Sequence, residues 1–376
     1  MSTNPRSRNR VPPLLQSVIR LPPEASLLLL TGVLDATPYW LVSRFISSAL
    51  SDGEEADINT SGSGATDGVT KVLLASWMRD WEYWRNEARR GAGLDLARLA
   101  NEGRFAFVDG LSGLFSDVDA SETGAGSTRS TVEQFGTRQP APTRGPAVLP
   151  QRGPAPTRTP TAAVPRASIS STTQPSTPQD PKGRSTLPSP SLSHATETIT
   201  TALTSLSSTA SKTLLILDSP SVLLATTPTT AAQLSTFLLG LRSKVHSTIL
   251  LAEADTPFIS ASNPGAFLGS DYLSPQQSVA RGGGGSFAPL EKETAAFAAQ
   301  QGHVARLVVG TRGLETGVAR DVSGVLRLAR GGGWNDESED LDRKDGLDQV
   351  KDMEVLYHVA QDGSVRVFER GGGDVG

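Results

Sequence analysis

The chain contains no cysteine. That one absence excludes disulfides, thiolate-bound zinc and thiol catalysis together. Four histidines, His194, His246, His303 and His358, stand singly, with no second ligand at helical or hairpin spacing, so no metal site is expected from them. No apolar run approaches the ~20 residues that cross a bilayer; the longest lies around Leu27 to Leu30. The N-terminal Arg6, Arg8 and Arg10 are followed by a stretch broken by Arg20, Pro22, Pro23 and Glu24, which spoils a secretory core. The expectation is a soluble, intracellular protein. A formal charge of −4 means that any nucleic-acid contact has to come from local patches or partner chains.

At 376 residues with 37% hydrophobic content, the chain has room for two average domains, but its composition is uneven. From about 116 to 194 lie about half of the 25 prolines, many Ser and Thr, and almost no large apolar residues. Such a segment cannot bury enough surface to fold and reads as a disordered insertion. The expected organisation is a disordered start (1–13), one domain over 14–370 interrupted by that insertion and by a flexible loop at about 260–286, and a tail (371–376).

Within the domain, Ser26 to Gly32 is a continuous apolar run ended by glycine, as in a strand buried on both faces. Pro38 to Leu50 follows at helical spacing, with Pro38 suited to a first turn. Asp52 to Gly68 reads as loop, and Val72 to Ala75 as a strand. A helix is expected over Trp77 to Arg90, with Trp77, Trp81 and Trp84 along one face, then a second piece at Leu94 to Leu99 and a strand at Phe105 to Val108. After the insertion come a helix near Thr198 to Ser207, the strand Thr213 to Leu217 closed by Asp218, a helix from Ala231, the strand Thr248 to Ala252 and a helix over Leu290 to Gln301. Repeated strand–helix alternation predicts a mostly parallel sheet with right-handed crossovers. From Ala305 onward the period becomes two, and Val325 to Ala329, Val355 to Val359 and Val365 to Phe368 predict antiparallel hairpins. The fold class is α/β.

A parallel sheet whose first strand runs into a helix invites a search for a phosphate-binding loop, which needs spaced glycines and a lysine. Gly32 to Pro38 reads Gly-Val-Leu-Asp-Ala-Thr-Pro, and no Gly-Lys dipeptide occurs in the chain. Losing about three charge-assisted hydrogen bonds at ~1.5–3 kcal/mol each costs about three or more powers of ten in affinity. Asp35 adds repulsion. Asp218 occupies the place of a magnesium-binding carboxylate, as a vestige or a simple cap, and Asp109 raises the same alternatives. The tryptophans with Tyr83 read as core or interface, or as a base-stacking platform. Arg281, beside Gly282 to Gly285, is a candidate RNA contact or part of a linker. The acidic stretch Asp336 to Asp352 reads as a solvated loop.

The most distinctive passage runs from Gly313 to Gly332 and includes Gly317, Ala319, Arg320, Asp321, Val322, Ser323, Gly324, Leu326, Arg330, Gly331 and Gly332. Together with the degenerate first loop, it resembles Elongator complex protein 6, whose family carries a similar Gly-x-Ala-Arg/Lys-Asp-Val-Ser/Thr-Gly-x-Leu-x-x-x-Arg-Gly-Gly passage. The resemblance covers roughly 14–115 and 198–370; the Pro-rich insertion and the acidic loop depart from it. It implies a RecA-like fold with no intact Walker A loop, no catalytic residue and no cofactor. It also implies a hetero-hexameric ring alternating with Elongator subunits four and five, tRNA binding, service to wobble-uridine modification, and residence in cytoplasm and nucleus. Position and charge make Arg320, Asp321, Arg312 and Arg330 the candidate subunit contacts, with the arginines as candidate fingers into a neighbour's nucleotide site. A weak ATPase and a RecA-like DNA-binding accessory remain the alternatives.

Overall fold

The computed structural model describes residues 11–59, 69–115, 182–207, 211–255, 258–259, 288–317, 319–334 and 351–369. The order of elements is β1 (Leu27–Gly32), α1 (Tyr39–Asn59), β2 (Thr70–Ser76), α2 (Trp81–Ala92), α3 (Leu96–Asn101), β3 (Phe105–Asp109), α4 (Gly110–Gly113), β4 (Arg184–Thr186) and α5 (Leu192–Leu206). There follow β5 (Lys212–Asp218), α6 (Val222–Thr226), α7 (Ala231–Arg242), β6 (Ser247–Glu253), α8 (Pro289–Val304), β7 (Leu307–Arg312), β8 (Gly324–Arg330), β9 (Met353–Val359) and β10 (Val365–Glu369). Ten strands form one sheet in the order β10-β9-β8-β7-β1-β6-β5-β2-β3-β4. Pairing is parallel from β7 through to β4 and antiparallel from β7 to β10. This is the α/β, mostly parallel architecture with C-terminal hairpins that the strand–helix alternation predicts.

Strand patterning follows from how many faces are covered. In β1, Leu28 and Leu30 pack with α1, α2 and α3 in one cluster, while Leu27 and Leu29 pack with α5, α6, α7 and α8 in another. Every residue of such a strand meets a dry neighbour, so the sequence shows an unbroken apolar run. In β8 and β9, Leu326, Leu328, Val355 and Tyr357 join the first cluster with Met353 and Val359 packed against it, and Arg327 and Glu354 are exposed. One covered face leaves a period of two.

Three expectations need correction. α1 continues to Asn59, through residues read as loop from Asp52, because the helix is already nucleated by its buried first half and each further residue then adds a hydrogen bond. Residues 182–194 are not part of an unfolded insertion: β4 pairs with β3, and Ser191 caps α5 by accepting from the His194 amide at 3.3 Å. Leu187 and Ala195, both buried, supply the apolar contacts that the composition of the wider stretch conceals. Trp77 does not share a helical face with Trp81 and Trp84. It precedes α2 and packs in the second cluster, whereas the other two lie in the first. Asp80 starts the helix instead, accepting from the Tyr83 amide at 2.8 Å.

Long-range ties fix the antiparallel end. Arg44, buried in α1, donates to the Gly363 carbonyl at 2.8 Å. Gly363 has φ +82°, and a β-carbon there would stand 2.5 Å from the Arg90 carbonyl oxygen. Beyond β8, the amides of Gly331, Gly332 and Gly333 donate to the carbonyls of Arg306, Gly302 and Ala305 at 3.0, 3.2 and 2.9 Å. The run of glycines therefore lies backbone to backbone against the end of α8. A β-carbon on Gly331 would overlap the Ala305 carbonyl oxygen, whereas nothing lies within 4 Å of one on Gly240 in α7. Gly331→Ala should cost about 1–3 kcal/mol in urea unfolding, and Gly240→Ala should gain up to about 1 kcal/mol. Equal effects at the two sites would contradict this packing.

Candidate functional site

In open parallel sheets, ligands bind at the carboxyl ends of the strands. Here that end brings together the turn after β1, the ends of β2, β5 and β6, and the starts of α1 and α2. The turn is short. The Ala36 amide returns to the Val33 carbonyl at 3.0 Å, and the Thr311 hydroxyl donates to the Ala36 carbonyl at 2.6 Å. A β-carbon on Gly32 would stand 2.5 Å from Cδ of Pro38, so the proline closes directly onto the strand end. The Ala36 amide is thereby taken, and Pro38 has none to offer a phosphate. Leu34 tops the turn at 89% exposure, its amide donating to Asp255 at 3.1 Å.

Beneath the turn lies a cavity of about 130 Å³, lined among others by Gly32, Tyr39, Arg79, Ser219, Glu253 and Asp255. Small-molecule pockets run to roughly 300–1,000 Å³. Side chains occupy the remaining space. Tyr39, the first residue of α1, packs edge-on to Tyr83 and Trp84, each at 5.4 Å between centroids. The Arg79 guanidinium sits 5.2 Å from the Tyr39 ring centroid and 4.9 Å from that of Tyr83.

Asp218 closes β5 and is fully buried. It accepts from Ser76 Oγ at 2.6 Å and from Ser219 Oγ at 3.2 Å. Ser219 holds φ +55°, a left-handed backbone unusual for a residue other than glycine. Burial is the main reason the Asp218 carboxyl is pushed up to about 7, the Ser76 hydrogen bond opposing it and the Glu253 charge adding to it. A magnesium ligand has to be ionised, and this carboxyl is shared between its two forms near neutrality. Burial, and then the Asp218 charge, hold the Tyr39 phenol well above its usual range. Glu253 is engaged by the Ser221 hydroxyl. Asp109 caps α4, its carboxylate accepting from the Ser112 amide and hydroxyl at 2.9 and 2.8 Å. Asp35, Asp80, Asp109, Asp218, Glu253 and Asp255 thus stand at this end, and two of them cap helices there, Asp80 on α2 and Asp109 on α4. Among the described residues no group of three or more His, Asp or Glu side chains could hold a metal ion, and no helix is long and apolar enough to cross a membrane.

The four residues expected as subunit contacts do not form one site. Arg312 ends β7 and pairs with Glu315 and Glu354, each at 3.1 Å. Arg320 and Asp321 are exposed in the connection from β7 to β8. Arg330 lies at the other end of β8, opposite Leu307, with its guanidinium 4.7 Å from the Trp334 ring centroid. Arg312 faces Val325, so five residue steps of strand, ~17 Å, separate the two arginines. Sequence spacing alone does not show which strand end a residue occupies. Arg281 lies outside the described residues. The residues missed from sequence, Tyr39, Ser76, Arg79 and Ser219, carry no motif; the aromatic start of α1 and the Ser beside Asp218 become a cluster only through the parallel register of β2 with β5.

No family model matches the chain, and no curated protein matches it. Among solved structures, a KaiC-like protein from the hyperthermophilic archaeon Pyrococcus horikoshii aligns over 96% of this chain and 98% of its own, at 12% identity and a TM-score of 0.43. At that level of likeness it adds nothing to the strand order, which carries the fold assignment.

The Asp218 environment sets a pH dependence. Its folded value lies above its unfolded one, so the folded state binds more protons between about pH 4 and 7, and stability from this group falls as pH rises through that window. Every tenfold difference in proton affinity between the two states corresponds to about 1.4 kcal/mol. Asp218→Asn, which keeps an acceptor for Ser76, should gain on the wild type in chemical denaturation as pH is raised from 4 to 8. Parallel profiles would show that the carboxyl is not held protonated.

Proposed function

We propose that the chain is a RecA-like subunit that performs no nucleotide chemistry of its own and acts through assembly. Its resemblance in the passage Gly317 to Gly332 makes the specific reading an Elongator-type subunit, placed with subunits four and five in a hetero-hexameric ring that binds tRNA and supports wobble-uridine modification. The chemistry of modification belongs to other chains. The observation that carries the non-catalytic reading is the closure of Pro38 on Gly32 above a buried, hydroxyl-held Asp218. A turn closed by proline, with no lysine in it, and a buried carboxyl that is only partly ionised near neutrality support that reading.

The distinctive passage supports the assembly reading by elimination. Ser323 donates its amide to the Tyr357 carbonyl at 2.8 Å and its hydroxyl accepts from Val359 at 2.9 Å. A β-carbon at Gly324 would stand 2.9 Å from the Tyr357 hydroxyl, and Leu326 is buried in the first cluster. Gly331 and Gly332 hold α8. These residues serve the chain itself. Arg320 and Asp321 are exposed and so are available to a neighbour.

Calorimetry of the isolated chain should give no binding heat at millimolar ATP; saturable heat would favour the weak-ATPase reading. Size measurement with and without candidate RecA-like partners should show a larger, stable assembly with them. Arg320→Glu with Asp321→Lys should abolish that assembly without moving the melting temperature. A monomer indifferent to every partner overturns the proposal, and DNA competing with tRNA as well as tRNA itself favours the DNA-binding alternative.

A further inference from the structure

Among the described residues Leu34 is the most solvent-open of the large apolar side chains, at 89% exposure. Single exposed leucines are ordinary; this one is held in place beside a cavity. The turn from Val33 to Ala36 closes on itself through the Ala36 amide at 3.0 Å, the Leu34 amide donates to Asp255 at 3.1 Å, and the Ala254 amide donates to the Gly32 carbonyl at 2.8 Å. With its backbone tied on both sides, Leu34 keeps its side chain on the rim of the crevice.

The cavity below that rim has two kinds of wall. Val33, Pro38, Met78 and Leu251 line it with apolar surface, and Glu253 and Asp255 line it with carboxylates. The two acids alternate with Ala254 along an extended segment, which turns both to one side. Each is held by a neutral donor, Glu253 by the Ser221 hydroxyl and Asp255 by the Leu34 amide. Such bonds orient a carboxylate without cancelling its charge. Arg79 is the one cation among the lining residues, and its guanidinium is drawn back over the Tyr39 and Tyr83 rings, 5.2 and 4.9 Å from their centroids. Among the described residues no ion pair links it to Glu253 or Asp255. Asp35, exposed in the same turn as Leu34, adds a further negative charge.

We infer that the crevice is a docking site for a partner protein, whose arginine side chain enters the cavity while Leu34 packs against an apolar residue next to it. At about 130 Å³ the cavity falls below the roughly 300–1,000 Å³ of small-molecule pockets and suits one long side chain. Arginine carries methylenes for the apolar walls and a planar, weakly hydrated cation for the carboxylates. An apolar side chain alone would leave two carboxylates desolvated and unpaired. An anion would meet their repulsion, and among the described residues no set of three acidic or histidine side chains could hold a metal ion. This contact rests on the reading that the chain acts through assembly, and it is separate from the one at Arg320 and Asp321.

The test uses the full chain, isotope-labelled at the methionine methyl groups and followed by NMR. Of the three methionines, Met78 lines the cavity and Met353, which opens β9, serves as the reference. At constant ionic strength, butylguanidinium should shift the Met78 signal saturably and leave Met353 in place, and butyrate should shift neither. Glu253→Gln with Asp255→Asn should weaken that binding on the order of tenfold. Glu24→Gln with Glu197→Gln, at two exposed carboxylates elsewhere, should leave it unchanged. Acetyl-leucyl-arginine amide should bind about fivefold more tightly than acetyl-glycyl-arginine amide, and Leu34→Ser should erase the difference. Melting curves establish that each variant is folded; if the first pair unfolds, Asp255→Asn alone should weaken binding about threefold. No shift of Met78, an equal shift by butyrate, or equal loss from the two pairs of variants overturns the inference. Equal binding of the two dipeptides assigns the cavity to a free organic cation and overturns it as well. A chain that joins no ring yet passes these tests fails the assembly reading alone, and a ring that forms from a chain whose Met78 stays unmoved fails this inference alone.

Discussion

Burial of β1 on both faces is the constraint from which the rest follows. Leu27 to Leu30 are each at most 2% exposed, with helices on either side and β6 and β7 as hydrogen-bonded neighbours. A strand so placed cannot tilt or slip without moving two helical layers and both halves of the sheet. Its direction fixes the start of α1, and so the place where a phosphate loop would stand. The chain keeps this scaffold and closes the loop position with Pro38, which lets Tyr39 turn its ring into the crevice against Tyr83 and Trp84.

The crevice is narrow. Buried aromatic rings, the guanidinium of Arg79 over two of them, and a carboxyl tied by two hydroxyls surround a cavity of about 130 Å³. A buried, unpaired carboxylate is costly, and the displacement of Asp218 toward its neutral form relieves that cost. The position that would serve catalysis in an ionised state is thus only partly ionised near neutrality. Local carboxylates at the starts of α2 and α4 make the same end less favourable to anions.

Much was legible from sequence because two-faced burial writes itself as continuous apolar runs and one-faced burial as alternation. β1, β5, β6 and the hairpins from β7 to β10 were readable in that way, and so was the missing phosphate loop, since Gly32 to Pro38 lacks the residue types that loop requires. Where composition averages over a stretch, the reading failed: β4 and the first turns of α5 lie at the ordered border of a Pro-rich segment. Periodicity also misled at Trp77, whose spacing to Trp81 and Trp84 imitates one helical face although Asp80 starts the helix after it.

The sequence alone determined the α/β class, the order of its elements and the lack of a phosphate-loop motif at Gly32 to Pro38, because each of these depends on residue type and local period. Only the tertiary structure decided which residues meet. Strand order is set by packing between segments far apart in the chain, so it alone placed Ser76 beside Asp218, put Arg330 at the opposite strand end from Arg312, and brought Leu34 to Asp255.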